Sequence, residues 1–90
     1  MKAIVTVVGK DRVGIIAEIC SLLAQMNVNI NDINQTVMQD DFFSMVMLTD
    51  IGKSPLSFGE ISEKLFAKGE EMGLSVRIQL EDIFNSMHRI

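Results

Sequence analysis

The segment Gly-Lys-Asp-Arg-Val-Gly, residues 9–14, carries the side chains best suited to bind a small ligand. It follows a run of apolar, mostly β-branched residues and precedes a helix-like apolar pattern. At a helix start the backbone N–H groups lack partners and attract an anion such as a carboxylate. Arg12 adds a cation that can form a charge-assisted hydrogen bond. The segment therefore predicts a site for a small anionic group between the first strand and the first helix.

Further residues at this loop and at the second strand have predicted roles. Asp11 is suited to cap the helix through its carboxylate or to accept a hydrogen bond from an ammonium group. Gly14 has no β-carbon, so a ligand or a neighbouring backbone can approach closely. Asn29 and Asn31 offer side-chain carbonyls to an ammonium group. The predicted ligand site comprises Asp11, Arg12, Val13, Gly14, Ile15, Asn29 and Ile30, closed across a subunit interface if the chain pairs. The alternative is that Asp11 is only a helix cap and Gly14 only a packing residue.

Six elements must position these residues. Runs that are apolar on both faces predict strands over 2–9 and 42–50. Partial alternation predicts an exposed edge strand over 29–39, and clean alternation predicts a strand over 74–81. Helical spacing predicts a first helix over 13–26 with Ile15, Ile16, Ile19, Leu22, Leu23 and Met26 on its apolar side. A second helix begins at a Ser57–Glu60 capping box, carries Phe58, Ile61, Leu65, Phe66 and Met72 as its apolar stripe, and stops at Gly73. Asp40-Asp41 is the predicted hairpin tip.

The element order strand, helix, strand, strand, helix, strand predicts an α+β fold of the ferredoxin-like βαββαβ type. We expect a four-stranded antiparallel sheet of order 4-1-3-2, two helices on one face and a short C-terminal helix. The chain reads as one domain, 1–90, with a core over 1–81 and an amphipathic tail over 82–90. The uncovered face of the sheet is expected to carry Phe43, Met45 and Met47, or their neighbours one position along.

Apolar residues exceed what a small domain hides by itself. They make up 48% of the 90 residues, and Ile83, Phe84, Met87 and Ile90 of the tail share a helical face. An apolar sheet face needs a cover. We therefore predict a homodimer or higher homo-oligomer, and a tail that packs on the domain or on a partner.

Composition excludes several partners. The net charge is −4 and no basic run is present, which argues against nucleic acid. No apolar stretch reaches the length of a membrane span, and one cysteine cannot form an internal disulfide. We expect a cytoplasmic protein without membrane contact. His88 stands alone, so neither a metal site nor a cofactor is expected.

Other functions found on this topology fit less well. A metal-transfer domain needs two thiols near the first loop, and only Cys20 exists. An RNA-binding module needs spaced aromatic residues on the central strands, whereas Phe42 and Phe43 are adjacent and point to opposite faces. An acylphosphatase-like hydrolase could use Arg12 for a phosphate and an asparagine for water, but the loop lacks a run of backbone donors.

The stretch GKDRVGIIAEICSLLAQMNVNINDI resembles the signature of the ACT domain family, in which a strand ends in Gly-x-Asp-x-x-Gly before a helix. The chain is also similar to small stand-alone ACT proteins, although Val13 stands where many members carry proline. The resemblance implies regulatory binding of a small ligand, often an amino acid, between paired domains. It implies no catalysis, and it leaves open a module used only for assembly. Any signal would pass through a partner enzyme or regulator.

Overall fold

The computed structural model describes residues 1–82, and within them the predicted fold is confirmed. The strands are β1 Lys2–Lys10, β2 Asn29–Met38, β3 Phe42–Asp50 and β4 Ser75–Leu80. The helices are α1 Ile15–Gln25 and α2 Phe58–Met72. The strands form one antiparallel sheet in the order β2-β3-β1-β4. The predicted C-terminal helix and the contacts predicted for the tail fall on residues 83–90, outside the described part of the chain.

One face of the sheet packs against both helices and forms the core. Alternate residues of the central strands, Val5 and Val7 on β1 and Met45 and Met47 on β3, are fully buried there. Side chains four residues apart on α1 face them: Ile15, Ile19 and Leu23. Among residues 1–82, Thr49 is the one buried polar residue. Its hydroxyl donates a hydrogen bond to the Ala3 carbonyl at 2.9 Å.

The uncovered face of β3 therefore carries the neighbouring positions, not the three residues named first in the prediction. Phe43, Met45 and Met47 lie under the helices, and the uncovered face carries Val46 and Leu48 instead. On β1 the same face carries Ile4, which pairs directly with Leu48. Alternation in the sequence defines two faces of a strand but does not say which one the helices cover.

Two residues of the predicted helical stripes lie on the solvent side. Phe66 on α2 is 59% exposed and Ile16 on α1 is 36% exposed. Gly69 explains how α2 nevertheless packs tightly, because a β-carbon there would come within 2.7 Å of the Leu74 carbonyl oxygen. Helix and chain reversal approach each other at a position that only glycine allows.

The edge strand β2 is long and open. Nine of its ten residues are exposed, and only Ile30 is half-buried. A β-bulge interrupts its pairing with β3 between Ile30 and Asp32. At its far end the turn Gln39–Asp41 leads into β3, with positive φ at Asp40 and Asp41. The predicted hairpin tip is in place, built from aspartates that tolerate this conformation better than most residues. Among residues 1–82, no helix is both long enough and apolar enough to cross a membrane.

Candidate functional site

The loop between β1 and α1 is anchored to the β2–β3 turn by its backbone. The Asp11 N–H donates to the Asp41 carbonyl at 2.7 Å. This bond places the predicted binding loop beside Asp40 and Asp41. Sequence reasoning did not connect the two segments, because only the β1–β3 register brings them together.

Helix α1 starts two residues later than predicted and without a side-chain cap. Its N-cap is Gly14, at φ 95° and ψ −2°, and no side chain accepts a hydrogen bond from the first turn. The predicted capping role of Asp11 is therefore wrong: the helix begins at Ile15, so the carboxylate stands outside the N-cap position. The first backbone bond of the helix runs from the Glu18 N–H to the Gly14 carbonyl at 3.0 Å. Because α1 has no side-chain cap, the N–H groups of its first turn have no side-chain acceptor.

Gly14 gives this helix start its open shape. Nothing lies within 4 Å of where a β-carbon would stand, so the space beside it is empty. Val13 next to it is 99% exposed, whereas the Ile15 side chain is buried in the core. Of these three predicted site residues, Ile15 can therefore offer a ligand only its backbone.

Arg12 is held over the helix by an ion pair. Its guanidinium lies 2.8 Å from Glu18 Oε2, and the Lys68 ammonium approaches Glu18 Oε1 at 3.5 Å. The side chains of Arg12 and Glu18 are 49% and 39% exposed, so the pair contributes little to stability. It does fix the guanidinium beside the helix start. Acidic groups surround the same loop at Asp11, Asp40 and Asp41, so the surface offers both signs of charge at close range.

Asn29 and Ile30 lie at the opposite end of the sheet from the β1–α1 loop. Asn29 pairs with Asp50 at the end of β3, and Asp50 pairs with Lys2 at the start of β1. The loop, in contrast, follows Lys10 at the other end of β1. At about 3.3 Å per residue, a strand of this length separates the two groups by about 26 Å. One chain alone does not bring the two halves of the predicted site together.

A polar groove surrounds Asn29 at its end of the sheet. The groove has a volume of about 470 Å³ and is lined in part by Asn27, Asn29, Asp50 and Lys53. The Asn29 side-chain amide donates to Asn31 Oδ1 at 2.6 Å, a bond that does not use the Asn29 Oδ1 oxygen. Sequence reasoning missed Asp50 and Lys53; the pairing of the end of β3 with the start of β2 was the signal that could have indicated them.

Asp50 is held ionised at this groove. Its Oδ1 accepts a hydrogen bond from the Gly52 N–H at 2.9 Å and from the N-terminal ammonium at 3.2 Å. The Gly52 backbone N–H is the main cause, and the ammonium a further one, of a pKa below the usual value of an aspartate. The carboxylate is therefore a fixed negative charge beside Asn29.

Within residues 1–82, the side chains needed for a metal site or for acyl phosphate hydrolysis do not lie together. Across residues 1–82, no group of three His, Cys, Asp or Glu side chains could hold a metal ion. Burial raises the pKa of the Cys20 thiol, which keeps it protonated and unreactive. Arg12 is paired with Glu18 and lies far from Asn29 and Asn31, so one chain does not assemble the arginine and asparagine of a phosphate hydrolase.

The fold and its open loop define a ferredoxin-like α+β module with two separate polar surfaces, one at each end of the sheet. The model of the ACT domain matches residues 2–79, and the chain belongs to that family. A UPF0237 protein of Clostridium acetobutylicum is 54% identical over all 90 residues, the full length of both chains.

Solved structures agree with this assignment. An ACT domain protein from Streptococcus pneumoniae is 37% identical, with a TM-score of 0.81 over 93% of each chain. A protein described as a glycine cleavage system transcriptional repressor is 28% identical, with a TM-score of 0.74; the match covers 87% of this chain and 44% of that one. This relationship identifies the chain as a module of a typically regulatory, ligand-binding family.

Proposed function

We propose that the protein is a regulatory module that binds a small amino-acid-like zwitterion between two of its own copies. The observation that carries the proposal is the split of the polar surfaces, with the loop at one end of the sheet and Asn29 at the other. Pairing of two copies through their β2 edges makes the two surfaces neighbours.

The open edge of β2 supports such pairing. An exposed edge strand presents unpaired N–H and carbonyl groups and is a template for another strand. On the side of the helices, Ile33 and Val37 are 38% and 52% exposed, so apolar area is available as well. Two-fold symmetric dimers are the commonest closed assembly, and a two-fold axis normal to the sheet pairs β2 with itself in antiparallel fashion.

This arrangement places Asn29 of one copy beside residue 38 of the other. Residue 38 pairs with residue 42, which follows the turn to which the loop is bonded. Three strand spacings, about 14 Å, then separate the backbone of Asn29 from that of the loop in the second copy. Side chains that reach in from both sides leave a gap that a small metabolite can span, whereas the 26 Å within one chain is too long for it.

The charges around this joint site suit a zwitterion. The uncapped N–H groups of α1 and the guanidinium of Arg12 attract a carboxylate. Asp11 and the side-chain oxygen of Asn29 accept hydrogen bonds from an ammonium group. An isolated anion would meet the neighbouring aspartates, which favours a ligand that carries both charges.

Ligand-dependent melting against a panel of free amino acids tests the binding. A ligand that binds only the folded protein raises its stability by RT ln(1 + [L]/Kd), so a saturating binder shifts the melting temperature upward. Arg12→Ala should weaken binding moderately, because the backbone donors remain; a hydrogen bond to a charged group contributes about 1.5–3 kcal/mol. Lys64→Ala, at an exposed position on α2 away from the proposed contacts, is the matched control.

Mixing two defective variants tests whether the site is shared. Gly14→Val closes the loop half of the site and Asn29→Ala removes the strand half, so neither variant alone should bind. In a 1:1 mixture that exchanges subunits, about a quarter of the sites contain both intact halves, and binding should recover to that level. A site built within one chain would show no recovery.

Assembly without a ligand is the second candidate, and the exposed β2 edge favours it by itself. It predicts a stable dimer in sedimentation and no melting shift with any amino acid. On either candidate the protein is not an enzyme, acts through a partner enzyme or regulator, and works in the cytoplasm without binding nucleic acid or membrane.

A further inference from the structure

A shallow groove crosses the uncovered face of the sheet at the point where the chain leaves β4. Its volume is about 230 Å³, and Ile4 and Leu48 form its apolar floor. Glu81 stands at one end, and Asn31 and Asp32 stand at the other. This groove belongs neither to the loop nor to the surface around Asn29 described above.

The strand register gives the groove a direction. Gln79 on β4, Ile4 on β1, Leu48 on β3 and Asp32 on β2 form one row across the sheet. The row is three strand spacings wide, about 14 Å. Exposure rises along it away from β4, from 5% at Ile4 to 42% at Leu48. The open part of the apolar floor is therefore its far half.

The length of chain beyond the described residues matches this row. The eight residues from Ile83 to Ile90 follow Asp82 directly. They reach about 12 Å at a helical rise, slightly less than the width of the row, and about 26 Å when extended, so either form brings side chains to the far half of the groove. Because β4 ends beside Glu81, they need no linker to enter it.

Side-chain chemistry also matches. The segment Ile-Phe-Asn-Ser-Met-His-Arg-Ile supplies apolar side chains for the floor and a cation near its far end. Asp32 lies at the far wall of the groove. Its Oδ1 accepts a hydrogen bond from the neighbouring Ile33 N–H at 2.9 Å, and no cation pairs with the carboxylate among residues 1–82. Both the apolar floor and the carboxylate thus find complements in the same short segment.

We propose that residues 83–90 dock in this groove of their own chain, with Phe84 and Met87 over Ile4 and Leu48 and with Arg89 against Asp32. The segment thereby covers the apolar floor at one end of the sheet. The proposal does not depend on the ligand site, since it uses the other face of the sheet.

Tryptophan fluorescence of the full chain tests the docking. The protein contains no Trp or Tyr, so Phe84→Trp places a single reporter in the segment. We expect blue-shifted emission and weak quenching by acrylamide, as for a side chain shielded from water. Adding Leu48→Lys should shift the emission to the red and raise quenching several-fold. Phe66→Lys, at an exposed apolar residue of α2, should leave both unchanged.

A charge swap provides a second test, which remains informative if one of the single variants fails to fold. Asp32→Arg should raise quenching of the reporter, and Asp32→Arg combined with Arg89→Asp should restore shielding. A reporter that is fully quenched in the parent chain, or one that ignores both groove substitutions, would overturn the proposal.

Subunit mixing separates docking within one chain from docking on a second copy. Reporter chains with an intact groove are mixed with an excess of Leu48→Lys chains that carry Phe84. Unchanged emission supports docking within one chain. A red shift after exchange would place the segment in the groove of the other copy and would overturn the proposal as stated.

Discussion

The two helices begin in opposite ways. At the start of α2, Ser57 Oγ accepts the Glu60 N–H at 3.2 Å, and Glu60 Oε1 accepts the Ser57 N–H at 3.0 Å. This capping box satisfies two backbone donors at the helix start, the N–H groups of Ser57 and Glu60, from within the chain. The start of α1 has Gly14 in a left-handed conformation and no side-chain cap.

The difference separates a helix start with a side-chain cap from one without it, where we propose that the ligand binds. In α2 the donors are occupied, and the hydrogen bonds from Ser57, with its backbone N–H as the main one, hold the pKa of the Glu60 carboxyl below its usual value. In α1 no side chain caps the corresponding donors, and the place where a β-carbon of Gly14 would stand is empty. Substitutions at the two starts should therefore affect stability and binding in different proportions.

Gly14→Val should have the largest effect. A β-branched side chain in a left-handed conformation costs about 1–3 kcal/mol in free energy of unfolding. It also fills the space that the proposed ligand needs, so binding should be lost. Urea unfolding together with ligand-dependent melting measures both quantities.

Gly14→Asn is the matched control for that variant. Asparagine tolerates positive φ, so most of the stability should return while the side chain still obstructs the ligand. If Gly14→Val binds a ligand as tightly as the parent protein does, the open start of α1 is not the site.

Ser57→Ala should have the next largest effect, and on stability alone. Loss of an N-cap side chain costs about 1 kcal/mol. Ligand affinity should stay at the parent value, because α2 lies outside the proposed site. Urea unfolding checks the first expectation and calorimetric titration the second. A change in affinity comparable with that of Gly14→Val would remove the distinction between the two helix starts.

Asp11→Ala should have the smallest effect on stability, within about 0.5 kcal/mol of the parent. The loop is tied to Asp41 by the backbone N–H of residue 11, which alanine retains. Binding of an amino acid should nevertheless weaken, because the carboxylate is the proposed acceptor for the ammonium group. A loss of about 1 kcal/mol in unfolding free energy would instead revive a capping role for Asp11.

Local patterns were sufficient to predict the fold, because the sequence signal of each helix and strand lies within a few residues. Apolar runs mark β1 and β3, the Ser57–Glu60 spacing marks the start of α2, and Gly73 marks its end. The start of α1 was predicted two residues too early because Asp11 resembles an N-cap. Its true cap is glycine, whose left-handed conformation leaves no side-chain signature.

The site was less predictable because its parts depend on tertiary pairing. The residues of the loop follow from a contiguous motif, but their contact with Asp41 depends on the β1–β3 register. The distance between Gly14 and Asn29 is likewise a property of the assembled sheet. Phe66 shows the same limit in the core: helical spacing placed it on the apolar stripe, and the position of α2 on the sheet leaves it 59% exposed.

The bulge of β2 has a consequence for unwanted self-association. An uninterrupted edge of ten residues would be a template for open-ended sheet growth and aggregation. The irregularity between Ile30 and Asp32 bends the strand and disturbs its ladder at one end, next to two residues with polar side chains, Asn29 and Asn31. A neighbouring strand can pair without interruption only from Asp32 to Met38, and beyond that stretch it follows the irregular end of β2. The edge thus accommodates a short partner segment and discourages the long, flat stacking from which fibrils form.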